Sequence, residues 1–294
     1  MAKKPQPNKA KRSNPKARQN KSASGKQAHS NHSQGRRPSS EPAHVETRVI
    51  KPLGKDSIFL HGRHPVEAAL KNSKRECLRL LGTKKALMGV KRELLKPSLK
   101  IEEVSSDDLN GLVSSDSPHQ GIVLEVRPLA GFDLLDLEPL ADRKNIILML
   151  DQVTDPHNVG ACIRSAAALG ARAIITQDRY SPIEGGVLAR AAAGGLETLP
   201  WVQVANLAQA LDTLKNMGYW HVGLDGGTNQ SIRDISMGDN IVLVMGSEGK
   251  GMRPLIRKSC DLIAKIPMTG LVESLNVSNA AAIALYEMLG TPKE

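Results

Sequence analysis

The spacing of apolar and polar positions changes character twice along this 294-residue chain. Residues 1–40 contain no Val, Ile, Leu, Phe, Tyr, Trp or Cys and consist mainly of Lys, Arg, Pro, Asn, Ser and Gln. Such a stretch buries too little apolar area to offset its ordering entropy, so a disordered tail is expected over 1–55, with ordered structure beginning near Ile58. From there the periodicity predicts a helix at 64–71, a strand at 77–81 and a helix at 84–95 with Leu87, Val90 and Leu94 on one face. A strand at 99–104, a short helix at 106–113 and a strand at 121–126 complete an α/β module over 56–127, large enough for its own core. Pro128, Gly131 and Pro139 mark 128–144 as a linker.

Beyond the linker, residues 145–294 alternate short apolar runs with helical patterns. Strands are predicted at 146–150, 173–176, 199–204, 220–224, 241–245 and 262–266, and helices at 159–169, 186–194, 206–217 and 275–289. Runs that are apolar throughout, such as Ile146–Leu150, suit strands covered on both faces of a mostly parallel sheet. No apolar run approaches the roughly 20 residues of a membrane span, so no membrane partner is expected. In parallel sheets ligands bind beyond the carboxyl ends of the strands. The loops after 150, 245 and 266 therefore carry the candidate chemistry.

Charge changes the picture of the tail more than that of the body. The chain holds 40 Lys/Arg and 30 Asp/Glu, and residues 1–50 alone contribute 12 basic and 2 acidic side chains. The whole excess of +10 thus sits in the tail, and the remaining 244 residues are balanced. The tail reads either as a phosphate-seeking arm that adds sequence-independent RNA affinity or as a solubilising segment. It lacks the apolar stretch of a secretory signal; a transit peptide is a minor alternative, disfavoured by Pro5, Pro7 and Pro15. Cys77, Cys162 and Cys260 form no CxxC pair and no even set, so a reduced, cytoplasmic protein is expected, with each cysteine a small core residue. His61, His64, His119, His157 and His221 show no metal-ligand spacing. Seven aromatic residues are too few for a base-stacking platform.

The first loop reads DQVTDPHNVGACIRSA over 151–166. Pro156 holds Asp155 out of helical geometry, Asn158 suits a helix cap, and Gly160 allows another chain or a ligand to approach. Arg164, four residues on from Gly160, shares its helical face and is placed to help hold an anion such as an RNA phosphate. The second loop, Gly246-Ser-Glu-Gly-Lys-Gly251, has three glycines in six residues but matches neither a Walker loop nor a dinucleotide fingerprint. Its Glu248 serves either as a hydrogen-bonding or proton-handling group or as an ion-pair partner of Lys250. The third loop runs from Pro267 through Ser274, Leu275, Asn276 and Ser278 into an alanine-rich helix. Any one of those polar residues would cap the helix; the surplus suits a pocket for an amide, a carboxylate and a ribose hydroxyl. Gly194 and Gly195 read as close helix packing.

Taken in order, DPHNVGACIRSA, VMGSEGKGM and IPMTGLVESLNVSNAA resemble the three signature motifs of the SpoU (TrmH) family of RNA ribose 2′-O-methyltransferases. The match spans 146–289, and its specificity lies in the ordered set. IFLHGRHPVEAAL and His119-Gln120-Gly121 resemble the L30e-like substrate-binding module of family members that methylate a guanosine of bacterial 23S rRNA. The resemblance implies an α/β fold with a trefoil-knotted methyltransferase domain over 145–294. It also implies S-adenosylmethionine as methyl donor at Gly246, Ile266, Met268 and Leu275, no metal, and a homodimer. The family's catalytic polar positions fall on Asn158, Arg164, Glu248, Ser274 and Asn276. The alternatives are a tRNA ribose methyltransferase of the same family and a non-catalytic ribosome-associated RNA-binding protein. With the body charge-balanced, substrate choice falls to placed groups such as Arg63 and Arg164.

Overall fold

A computed structural model describes residues 48–113 and 118–290. The predicted disordered tail lies outside the described residues up to Thr47. Residues 48–57 are described, so order begins earlier than Ile58: the Leu53 N–H and the Ser57 hydroxyl both donate to Glu125, and Arg79 donates to the Lys51 carbonyl.

The first half holds β1 (Ile58–His61), α1 (Arg63–Lys71), β2 (Cys77–Gly82), α2 (Lys84–Met88), β3 (Lys100–Glu103), α3 (Ser106–Asn110) and β4 (Ile122–Val126). Its four strands form one sheet in the order β1-β4-β2-β3, and only the β2–β3 pair is parallel. Strand β1 had no counterpart among the predicted elements. The helix predicted at 84–95 breaks after Met88: the Gly89 and Val90 N–H groups bond back three residues, and a 3-10 turn follows at Arg92–Leu94. Leu87, Val90 and Leu94 still pack on the core, which is why the apolar spacing imitated one longer helix. Buried Glu125 pairs with Arg79 across β4 and β2.

The second half holds β5 (Asn145–Asp151), α4 (Pro156–Leu169), β6 (Ala173–Gln177), α5 (Gly186–Ala192), β7 (Trp201–Val204), α6 (Leu207–Asn216), β8 (Trp220–Leu224), β9 (Asn240–Gly246), α7 (Pro254–Lys258), β10 (Leu262–Ala264) and α8 (Val277–Leu289). Six strands form a fully parallel sheet in the order β10-β8-β9-β5-β6-β7. All seven residues of β5 are buried, and alternate ones enter two cores. Ile146, Leu148 and Leu150 face α4, α5 and α8, whereas Ile147 and Met149 face α6 and α7.

The segment expected as a linker packs on the second half through Phe132, Leu134 and Leu137. It contains a capped 3-10 turn at Leu134–Leu137, buries Leu137, and receives the Tyr219 hydroxyl at the Leu137 carbonyl. The close approach that Gly160 allows is made by α5: a Cβ there would stand 2.6 Å from Ala191 Cβ and from the Leu188 carbonyl oxygen. Gly195 packs against α4 as predicted. Cys162 is a buried core residue, and burial pushes its thiol up to about 12.

Candidate active site

Three strand ends bring the motif loops together. Helix α4 is capped by Asp155, whose carboxylate accepts from the His157 N–H at 3.0 Å; Asn158 therefore sits inside the first turn with its amide unused for capping. That amide reaches the other two loops. Asn158 Nδ2 donates to Glu248 Oε1 at 3.4 Å, and Asn276 Nδ2 donates to the same oxygen at 2.7 Å and to Asn158 Oδ1 at 2.9 Å. The Val277 N–H adds a further bond to Glu248 at 3.1 Å. Glu248 thus ties the three loops and makes no ion pair with Lys250 among the described residues. Asn276 is the cap of α8, its Oδ1 accepting from the Ser278 N–H at 2.9 Å.

Beside this cluster opens a cleft of about 590 Å³, within the usual range of about 300–1,000 Å³ for small-molecule sites. Its walls include Gly246, Glu248, Ile266, Met268, Ser274 and Leu275, so six of the nine predicted site residues share it. Asn158 and Asn276 are joined to it through Glu248. Arg164 is exposed on α4 and makes no hydrogen bond or ion pair among the described residues. Arg63 is exposed as well, but its guanidinium is held by Glu67 at 2.7 Å and by the Gly89 carbonyl at 3.0 Å.

Backbone shapes the cleft. A Cβ at Gly246 would overlap the backbone of Gly251 and Met252, so the strand end can be crossed closely only without a side chain there. Gly251, at φ +67°, turns the loop back, and its N–H donates to the Ser247 carbonyl at 2.8 Å. From below, buried Asp151 at the end of β5 holds Arg253, accepting from its N–H and its Nε at 2.7 Å each.

A fourth loop, Leu224–Gly227 after β8, also lines the cleft and was not among the predicted elements of the site. Asp225 is pinned there, accepting from the Gly227 N–H at 2.8 Å and from Arg257 at 3.2 Å; those hydrogen bonds, the Gly227 one first, hold its carboxyl below the usual range despite partial burial. The Asp-Gly-Gly step at a strand's carboxyl end was the available signal. Among the described residues no cluster of His, Cys, Asp and Glu is placed to hold a metal, and no helix is long and apolar enough to cross a membrane.

The parallel sheet and the loops gathered at its carboxyl edge define an α/β protein with a ligand cleft at the strand ends. Residues 145–286 match the SpoU rRNA Methylase family and residues 59–131 match the RNA 2′-O ribose methyltransferase substrate-binding family. The chain belongs to the SpoU family. It is 37% identical over 236 residues to the 23S rRNA (guanosine-2′-O-)-methyltransferase RlmB of Vibrio cholerae, covering 78% of this chain and 95% of that protein. The enzyme of the same name from Pseudomonas putida is 45% identical over 172 residues, 58% of this chain and 69% of that one. Among solved structures, the SpoU methyltransferase AviRb from Streptomyces viridochromogenes in complex with the cofactor AdoMet superposes with a TM-score of 0.67 at 25% identity, covering 80% of this chain and 89% of that one.

Proposed function

We propose that this chain transfers a methyl group from S-adenosylmethionine to the ribose 2′-hydroxyl of a guanosine in 23S rRNA. The observation that carries the reading is the Asn158–Glu248–Asn276 cluster, which draws three distant loops onto one cleft. The substrate follows from the relatives' named reaction.

The cleft suits an adenosine-bearing cation. Leu224, Met245, Ile266 and Leu275 offer apolar surface, glycine backbones offer N–H and carbonyl groups, and Asp225, Glu248 and Glu273 outnumber the single Lys250. When bound, S-adenosylmethionine supplies a sulfonium-activated methyl group. The protein's remaining tasks are to align the acceptor and ease the departure of its proton. Gly246, Ile266, Met268 and Leu275 form the donor's walls, with Ser274 at the rim. Glu248 holds the loops in register, and Asn158 orients the acceptor ribose. Arg164 supplies a cation for the neighbouring phosphate and for charge growing on the 2′-oxygen. A guanidinium is too poor a proton acceptor to act as the base, so the proton leaves late, towards water.

In this reading residues 56–127 form an L30e-like module that holds RNA, 128–144 connect it, and 145–294 form a knotted methyltransferase domain working as a cytoplasmic homodimer. The basic residues of 1–55 add salt-dependent affinity without choosing the site. The test uses methyl-labelled S-adenosylmethionine and 23S rRNA. Label is expected on a guanosine ribose; label on a base refutes the reading. Arg164→Ala is expected to lower kcat/KM about 100-fold, and retained activity would remove the role given to that residue.

A further inference from the structure

A second polar cluster, separate from the Asn158–Glu248–Asn276 cluster, joins the two sheets. Arg75, in the turn between α1 and β2, has a fully buried side chain. Its Nη1 donates to Glu184 Oε1 at 2.6 Å and to the Arg127 carbonyl at 2.9 Å, and its Nη2 and Nε donate to the two carboxylate oxygens of Glu197 at 2.6 and 3.1 Å. Asn72 Nδ2 donates to Glu197 Oε2 at 2.8 Å, and the Leu129 N–H donates to Glu184 Oε2 at 2.9 Å. Glu184 precedes α5 and Glu197 closes the turn that follows it, so one guanidinium grips both ends of that helix.

Helix α5 is also packed without slack on two faces. Towards the small sheet, a Cβ on Gly186 would overlap the His61 ring and stand 2.6 Å from the Phe59 carbonyl oxygen. Towards the site, a Cβ on Gly160 would stand 2.6 Å from both Ala191 Cβ and the Leu188 carbonyl oxygen. Gly160 belongs to α4, the helix that carries Asn158 and Arg164. A joint needing only stability would be served as well by apolar side chains, because burying charge returns little net energy. Buried charge does fix one geometry, since any slip leaves a carboxylate or the guanidinium unpaired.

We propose that residues 184–197 are a rigid coupling between the RNA-holding module and α4, with Arg75, Glu184, Glu197 and Gly186 as positioning residues that set the acceptor ribose against the motif loops. This rests on the methyl-transfer reading above. RNA held on the small module then reaches the cleft in one orientation, and loosening the joint degrades alignment while leaving the donor's cleft intact.

The experiment uses the full-length protein, S-adenosylmethionine and a 23S rRNA fragment. Arg75→Lys keeps the charge but loses the planar fork, and Gly186→Ala displaces His61 without altering any charge. Each is expected to lower kcat/KM for RNA by ten- to about 100-fold, as a misplacement near 1 Å does, while calorimetric affinity for S-adenosylmethionine stays within about twofold. Because both act on one joint, the double variant loses no more than the worse single variant. Glu184→Gln, which leaves the Arg75–Glu197 pair and the packing in place, decides by the same readouts where either variant fails to fold. Folded variants within about threefold of the parent, additive losses, or weakened cofactor binding overturn the proposal. A parent protein that leaves ribose unmethylated overturns the functional reading instead. Amide exchange then tests the joint directly: residues 59–61 and 184–197 lose protection together in Gly186→Ala if they are coupled, and independently if they are not.

Discussion

The two polar clusters of this protein are built on opposite principles. Asn158, Glu248 and Asn276 lie at an accessible edge, carry one carboxylate among them, and sit in the first turn of α4, in the loop after β9 and at the cap of α8. Arg75, Glu184 and Glu197 carry three charges, with side chains 0%, 11% and 4% exposed. Water can replace any bond of the first cluster at small cost, so its loops can adjust around ligands. No such replacement is open to the second. Burial alone would pull the Arg75 guanidinium pKa down; hydrogen bonds to Glu197 and the charges of Glu184 and Glu197 outweigh it and hold the pKa above its ordinary value. On the functions proposed above, the contrast is a division of labour in which chemistry sits on adjustable groups and placement on groups that cannot move singly.

Removing one partner from each cluster sharpens that contrast most. Arg75→Met leaves two buried carboxylates facing each other and is expected to cost about 3–5 kcal/mol in urea unfolding. A cost below about 1 kcal/mol would mean that the cluster is hydrated and the contrast is false.

Acid probes the same joint without a mutation. Burial, with smaller contributions from the charges of Arg190 and His119, holds His61 down at about 4, against 6.5 in an unfolded chain. Both of its ring nitrogens lack partners among the described residues. Between those values the unfolded chain binds a proton that the folded chain does not. Stability is therefore full above pH 6.5 and falls as pH drops through 4, by roughly 3 kcal/mol in all. Burial lowers His119 and His221 too, in the same sense. Urea midpoints between pH 7 and pH 4 measure the slope, and a slope unchanged in His61→Leu would remove this residue as its source.

At the exposed cluster the balance reverses. Glu248→Ala is expected to slow methyl transfer about 100-fold, near 2.7 kcal/mol of barrier. Its unfolding free energy should stay within about 0.5 kcal/mol of the parent. A variant that lost both in proportion would show Glu248 to be a folding residue rather than a register residue.

The same physical difference decides how much was legible beforehand. Strand β5 announces itself because burial on both faces leaves no polar position in Ile146–Leu150, and the motif loops follow from the rule that parallel sheets bind ligands at their carboxyl ends. Strand β1 is short, and the helix-like spacing of Leu87, Val90 and Leu94 spans a break that only the backbone bonds of Gly89 and Val90 reveal. Arg75 was invisible for a deeper reason. A buried arginine is spelled like an exposed one, and its carboxylates lie 109 and 122 residues away along the chain. Leu224–Gly227 was missed although the strand-end rule applied to it, because two glycines and one aspartate look like an ordinary turn.

Asn276 resolves an ambiguity that spacing alone leaves open, between helix cap and site residue. One end of its amide does each: Oδ1 accepts from the Ser278 N–H, while Nδ2 donates to Glu248 and Asn158. Serine can replace the first function and not the second. Asn276→Ala is therefore expected to cost about 1 kcal/mol of stability and Asn276→Ser only a few tenths, whereas both should lose methyl transfer to the same extent. If Asn276→Ser kept the parent's rate, the bonds to Glu248 and Asn158 would be incidental to a cap, and the exposed cluster would shrink to Glu248 and Asn158. Equal rate losses at unequal stabilities would show instead that the cluster needs the amide's donor, and that the catalytic edge takes almost nothing from the stability of the fold beneath it.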